Sequence, residues 1–182
     1  NAIKVAYEFY KKHPKETLIV VTADHETGGM ALGTGRYALN LKALENQKAS
    51  AEELSKKISD LRKAKNNHVA WEDVKNLLSE QMGFWSVLPI SWEQEKKLRD
   101  EYEKSFVKNK VEFAESMYAK TEPMAAKAKE VMDQIAMVGW TSGGHSAGYV
   151  PVFAIGAGSD LFIGKMDNTE IPRRIAKAGG YK

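Results

Sequence analysis

Asp24 and His25 stand side by side in Ala23-Asp24-His25-Glu26-Thr27-Gly28-Gly29, a polar stretch that ends in paired glycines. A carboxylate oxygen and a neutral imidazole nitrogen are donor types that bind Zn²⁺. Asp-His pairs also start turns or hydrogen-bond to each other, so the dipeptide alone is unspecific. A third candidate, His145, sits in Thr141-Ser142-Gly143-Gly144-His145-Ser146-Ala147-Gly148, where glycine lets backbone approach a ligand closely. A loop histidine can equally be a solvent-facing side chain. His13, beside Pro14, and His68, in a run of polar residues, are read as solvent-facing and are given no role.

Gly144-His145-Ser146-Ala147-Gly148 also fits G-x-S-x-G, the nucleophile elbow of serine hydrolases. The elbow requires a helix after the serine. Here Tyr149-Val150-Pro151-Val152-Phe153 follows, which is strand-like and contains a helix-hostile proline. The triad order also requires a histidine downstream of the serine, and none follows His145. The match is read as accidental.

Three zones position these residues. In the first, Ile3, Tyr7 and Tyr10 share a helical face, widened by Val5, Ala6 and Phe9, and Pro14 ends the helix. Thr17-Leu18-Ile19-Val20-Val21-Thr22 is continuous and β-branched, as in a central strand covered on both faces. Helix followed by strand predicts a step in a mostly parallel sheet. Asp24 and His25 would then lie at the carboxyl edge of that strand, where open α/β sheets bind ligands.

The second zone, residues 37–135, is helical and is expected to hold three to five helices. Leu54, Ile58 and Leu61 recur at helical spacing, as do Val74, Leu77, Leu78 and Met82, and then Leu98, Tyr102 and Phe106. Ser91 with Gln94 predicts a capping box at the start of the last of these stripes. Phe84, Trp85 and Trp92 are read first as core residues of this zone, since aromatics mainly bury area. In the third zone, Met137-Val138-Gly139-Trp140 and residues 150–155 are expected to be strands flanking the His145 loop. Asn168 or Thr169 would cap a last helix that Gly179-Gly180 terminates.

Composition limits the choices. The 182 residues are 43% hydrophobic and 28% charged, ordinary for a folded globular chain. Cysteine is absent, so a metal must sit on Asp, Glu or His. The net charge of +3 lies wholly in the two flanks, because residues 37–135 are charge-balanced. That is too weak and dispersed for a nucleic-acid footprint. No apolar run approaches the roughly 20 residues that span a bilayer, so no transmembrane segment is expected. The opening Asn1-Ala2-Ile3-Lys4-Val5 has the pattern of a helix interior, so a natural start further upstream is expected, in a region that could carry a signal segment.

The longer context is more specific than any single motif. Residues 17–29 resemble the alkaline phosphatase strand that ends in an Asp-His metal pair. Val138-Gly139-Trp140-Thr141-Ser142-Gly143-Gly144-His145-Ser146, followed by Val150-Pro151-Val152-Phe153-Ala154-Ile155-Gly156-Ala157-Gly158, resembles that family's last metal-ligand loop and the strand after it. Asp167-Asn168-Thr169-Glu170-Ile171 is similar to the start of its closing helix. The three motifs appear in the family's order.

The resemblance implies an α/β fold, a partial three-layer alkaline-phosphatase-like sheet interrupted by a helical insert. Residues 1–36 and 136–182 would be the C-terminal part of the core, and 37–135 a crown- or cap-like insert near the active-site mouth or subunit interface. It implies that Asp24 and His25 bind one zinc and His145 the other. In this family two zinc ions activate a serine that is phosphorylated and then hydrolysed, a two-metal clamp on an in-line displacement. Affinity would fall at low pH, because protonated ligands release metal. Phosphate monoesters as substrates, a homodimer and a periplasmic or secreted location are implied as well.

The serine nucleophile, the phosphate-binding arginine, the Mg²⁺ ligands and the remaining zinc ligands of the family match nothing here and are expected upstream. Ser142 and Ser146 lie in no matching nucleophile motif, and Arg36, Arg173 and Arg174 match no substrate arginine. The chain is therefore read as a C-terminal fragment, inactive without its upstream half. Two alternatives stay open. One is a phosphodiesterase, sulfatase or mutase of the same superfamily, told apart by its upstream nucleophile. The other is a catalytically dead module whose helical zone binds a partner.

Overall fold

The computed structural model describes residues 1–35, 37–115 and 120–181. Arg36 lies outside them. In chain order the elements are α1 (Ala2–Lys12), β1 (Leu18–Val21), β2 (Met30–Leu32), α2 (Ala51–Ala64), α3 (Trp71–Met82), α4 (Trp92–Tyr102), β3 (Ala114–Glu115), β4 (Lys120–Thr121), α5 (Pro123–Ala136), β5 (Val138–Trp140), β6 (Phe153–Gly156) and α6 (Glu170–Ala178). They form two compact units, one of residues 1–27 with 145–182 and one of 28–144. No described helix is long and apolar enough to cross a membrane.

The first unit holds α1, β1, β6 and α6. Helix α1 stops two residues before Pro14, and the His13 N–H closes its last turn on Phe9 O and Tyr10 O. Strand β1 pairs with β6 antiparallel, Leu18 opposite Gly156 and Val21 opposite Phe153. The parallel neighbour expected for β1 is not found: every strand pair among the described residues is antiparallel. A β-branched run reports that a strand forms, while its direction depends on which strand reaches its edge, a non-local matter. β1 is half-buried along its length, not covered on both faces. β6 begins only at Phe153, because Pro151 lacks the N–H a ladder needs. The apolar Leu161 and Phe162 belong to a short 3₁₀ turn, Ser159–Phe162, that buries Phe162.

Thr169 precedes α6, yet the expected cap by Asn168 or Thr169 is made by Asp167 instead. Asp167 Oδ1 accepts from Thr169 N at 2.9 Å and from Thr169 Oγ1 at 2.7 Å. Helix α1 buries none of its residues, leaving Ile3, Val5 and Phe9 more than half exposed.

The second unit is built on its helices. α2 starts with Ser50 Oγ accepting from Glu53 N. α4 starts with the predicted box, Ser91 Oγ accepting from Gln94 N and Gln94 Oε1 from Ser91 N. Gly83, at φ +72, ends α3 in the left-handed region that glycine enters without strain. Leu54 and Ile58 of α2, Val74, Leu78 and Met82 of α3, and Leu98 of α4 are all at most 1% exposed. They pack with Met124, Val131 and Met132 of α5 and with Phe106. Each such side chain contributes about 1.5–3 kcal/mol on burial. Phe84 is fully buried and Trp85 packs against the core, as read from the sequence, but Trp92 is 72% exposed.

One polar group runs through this core. Glu122, 1% exposed, caps α5 by accepting from Met124 N and Ala125 N, and its other oxygen meets Arg62 Nη2 at 2.7 Å. Arg62 also lies over the Phe106 ring, 3.5 Å from its centroid. β2 pairs with β5, Met30 opposite Trp140, and Gly28 O accepts from Thr141 N, Thr141 Oγ1 and Ser142 N.

Candidate metal centre

β1 delivers Ala23, Asp24 and His25 into a loop of the first unit, and the segment before β6 delivers His145 and Ser146. No helix starts directly after Ser146, so the nucleophile-elbow geometry is absent. The two segments meet. The His25 and His145 rings stack with centroids 3.4 Å apart and planes 23° apart. Asp24 Oδ2 lies 3.3 Å from His25 Nε2. The carboxylate of Glu26 accepts a hydrogen bond from Ser146 N.

The ring of His25 has a defined orientation. Its Nδ1 is 2.5 Å from Glu26 O, and a carbonyl only accepts, so Nδ1 carries the proton. In the neutral ring this leaves the Nε2 lone pair beside an Asp24 oxygen. Two donor atoms at that distance can share one cation. Ligand histidines usually donate their other N–H to a carbonyl or carboxylate, which fixes the tautomer, and His25 has that arrangement. The donor set therefore fits zinc at Asp24 and His25. Asp24 is 86% exposed and His25 40% exposed, so an ion can reach them. Among the described residues, no three His, Cys, Asp or Glu side chains are grouped to hold one ion, so the set amounts to a pair and a neighbour.

A cavity of about 560 Å³ opens beside them, walled by residues that include Asp24, His25, Glu26, Ser146 and Asp167. Asp167 faces it with a carboxyl held below the usual range by the Thr169 hydroxyl and then the Thr169 N–H. The other sequence candidates stay apart from chemistry. His13 and His68 are exposed. Arg174 is engaged locally, Nη1 donating to Leu161 O at 2.5 Å and Nη2 to Glu170 at 3.1 Å. Ser142 Oγ donates to Gly144 O at 3.2 Å, which serves the turn. Glu26 is the residue that the sequence reading quoted but gave no role. Its one signal was its place directly after the Asp-His pair.

A family model described as alkaline phosphatase matches residues 1–181. Alkaline phosphatase 3 of Bacillus subtilis (strain 168) is 32% identical over 192 residues, covering 100% of this chain and 34% of that protein. Alkaline phosphatase 4 of the same organism is 28% identical over 178 residues, covering 97% of this chain and 32% of that protein. The crystal structure of a cold-active alkaline phosphatase from the psychrophile Shewanella sp. is similar, with a TM-score of 0.68 and 26% identity. The match covers 98% of this chain and 37% of that one. The chain thus spans about a third of the length of the curated relatives it matches.

Proposed function

This chain belongs to the alkaline phosphatase family, and we propose that it is the C-terminal part of a metal-dependent phosphate monoester hydrolase. Asp24 and His25 bind one zinc and His145 a second. The observation that carries this reading is the stacking of His145 on His25, which brings two distant family-like motifs to one place beside Asp24.

When bound, zinc supplies Lewis acidity, which lowers the pKa of an oxygen nucleophile and offsets charge on a phosphoryl group. The chain's own residues prepare for it. Asp24 contributes negative charge toward the cation. The Glu26 carbonyl holds Nδ1–H of His25, so that Nε2 is the nitrogen presented. Three ligands over two ions leave each below the usual three protein ligands. The rest, with the serine nucleophile, the phosphate-binding arginine and the Mg²⁺ ligands, belong upstream in the complete protein, and this chain alone is inactive. The threefold greater length of the relatives supports this. So does the exposed apolar face of α1, a surface that further layers of a sheet would cover.

In the complete protein, residues 1–36 and 136–182 belong to the α/β core and 37–135 form a crown- or cap-like insert, where exposed Trp92 is available to line a mouth. A homodimer that is periplasmic or secreted completes the reading. The test is His145→Ala in the complete protein, assayed for phosphate monoester turnover and zinc content. Loss of most activity together with weakened zinc binding is expected. Unchanged turnover would sink the assignment.

A further inference from the structure

Glu26 touches both histidines' surroundings, by two different groups. Its backbone carbonyl accepts from His25 Nδ1. Its side-chain Oε1 accepts from the N–H of Ser146, the residue after His145 and 120 positions away in the chain. Glu26 is also among the walls of the cavity beside Asp24. Room for its side chain is left at Gly148: a Cβ there would lie 3.1 Å from Glu26 Cγ and 3.4 Å from Ser146 Oγ.

We infer that Glu26 is a positioning residue for the metal centre, clamping the His145 loop to the Asp24–His25 loop. The inference rests on the proposed metal site and adds a residue to it that is not itself a ligand. Ser146 N–H is a backbone donor on a segment that lies in neither helix nor strand. A carboxylate acceptor on that N–H supplies a charge-assisted bond, stronger than a neutral one. The bond acts one residue from the imidazole, so it limits the positions His145 can take relative to His25. The carbonyl tie is made by backbone and survives any substitution at position 26. The side-chain tie does not, and the two can therefore be separated by experiment.

The experiment is zinc affinity of the complete protein, read by competition with a chromophoric chelator, for wild type, Glu26→Ala, Glu26→Gln and His145→Ala. Thermal melting of each metal-free form is measured in parallel. Glu26→Ala is expected to weaken zinc binding about 10–100-fold, the usual cost of losing a residue that orients a ligand. Glu26→Gln keeps an oxygen that accepts from Ser146 N and is expected to return affinity to within about threefold of wild type, since a neutral acceptor forms a weaker but equivalent bond. The metal-free Glu26→Ala form should melt with wild type. Zinc affinity unchanged in Glu26→Ala overturns the clamp, as does a glutamine variant no better than the alanine one. A metal-free alanine variant that melts as far below wild type as its zinc form does assigns Glu26 a general structural role and also overturns it. If His145→Ala leaves zinc binding intact, the metal site itself fails; if His145→Ala loses zinc and Glu26→Ala does not, only the clamp fails.

Discussion

His25 and Asp24 are neighbours whose polar atoms face each other, Nε2 to Oδ2 at 3.3 Å, while Nδ1 of the same ring is held by Glu26 O. The protein has thus selected which nitrogen points toward the carboxylate. Tautomer choice by a fixed acceptor on the other nitrogen is how histidine ligands are prepared for a metal.

Zinc added to the complete protein should therefore bind His25 through Nε2. In ¹⁵N-detected imidazole spectra the Nε2 resonance should move on titration, and the Nδ1 proton should persist. Loss of the Nδ1 proton with metal on that nitrogen would contradict the orientation seen here.

Arg62→Met should destabilise the second unit strongly. Glu122 is 1% exposed and meets Arg62 Nη2 at 2.7 Å, so the substitution strands a buried carboxylate on two backbone N–H groups. Breaking a buried pair from one side costs about 3–5 kcal/mol. Glu122→Gln retains an acceptor for the α5 cap and should cost less. Hydrogen exchange of α2 and α5 amides against urea concentration measures both.

Glu101→Gln should stabilise the protein at neutral pH. Burial pushes the Glu101 carboxyl above its ordinary range, against the pull of the Lys104 cation, and among the described residues its buried Oε1 has no hydrogen-bond partner. An acid raised by folding takes up its proton in the folded state first, so wild type gains stability as pH falls through the raised value toward the unfolded value, about 4.3. Above that window the folded state carries the whole cost of the buried charge. The glutamine advantage is thus expected at pH 7, should shrink as pH falls through the raised value, and should be gone by pH about 4. Melting temperatures of the two proteins across this range check it, and an advantage that grows on acidification would reverse the sign.

Much of this was readable before any coordinates, because it is encoded over a few residues. Ser91 and Gln94 cap α4 through bonds spanning three positions, Pro14 stops α1, and the helical stripes from Leu54 to Leu98 face one core. The motifs around Asp24-His25 and His145 were enough to indicate the family, since each is a contiguous run with a fixed order. Other features were not legible in that way. The antiparallel pairing of β1 with β6 joins segments far apart in sequence, and a β-branched run carries no direction for its partner. Trp92 looked like a core aromatic and is exposed, because its position on α4 turns it away from the packed face.

The sequence by itself determined which residues have the chemistry of metal ligands and which stretches become helix or strand, since side-chain type and short-range spacing decide both. Only the tertiary structure decided that His145 stacks on His25, that Glu26 reaches Ser146, and that Arg62 neutralises Glu122. Each of these joins residues separated by dozens of positions or more. Such a contact forms only when the packing of intervening elements brings its partners within a few ångströms, and no local pattern specifies that distance.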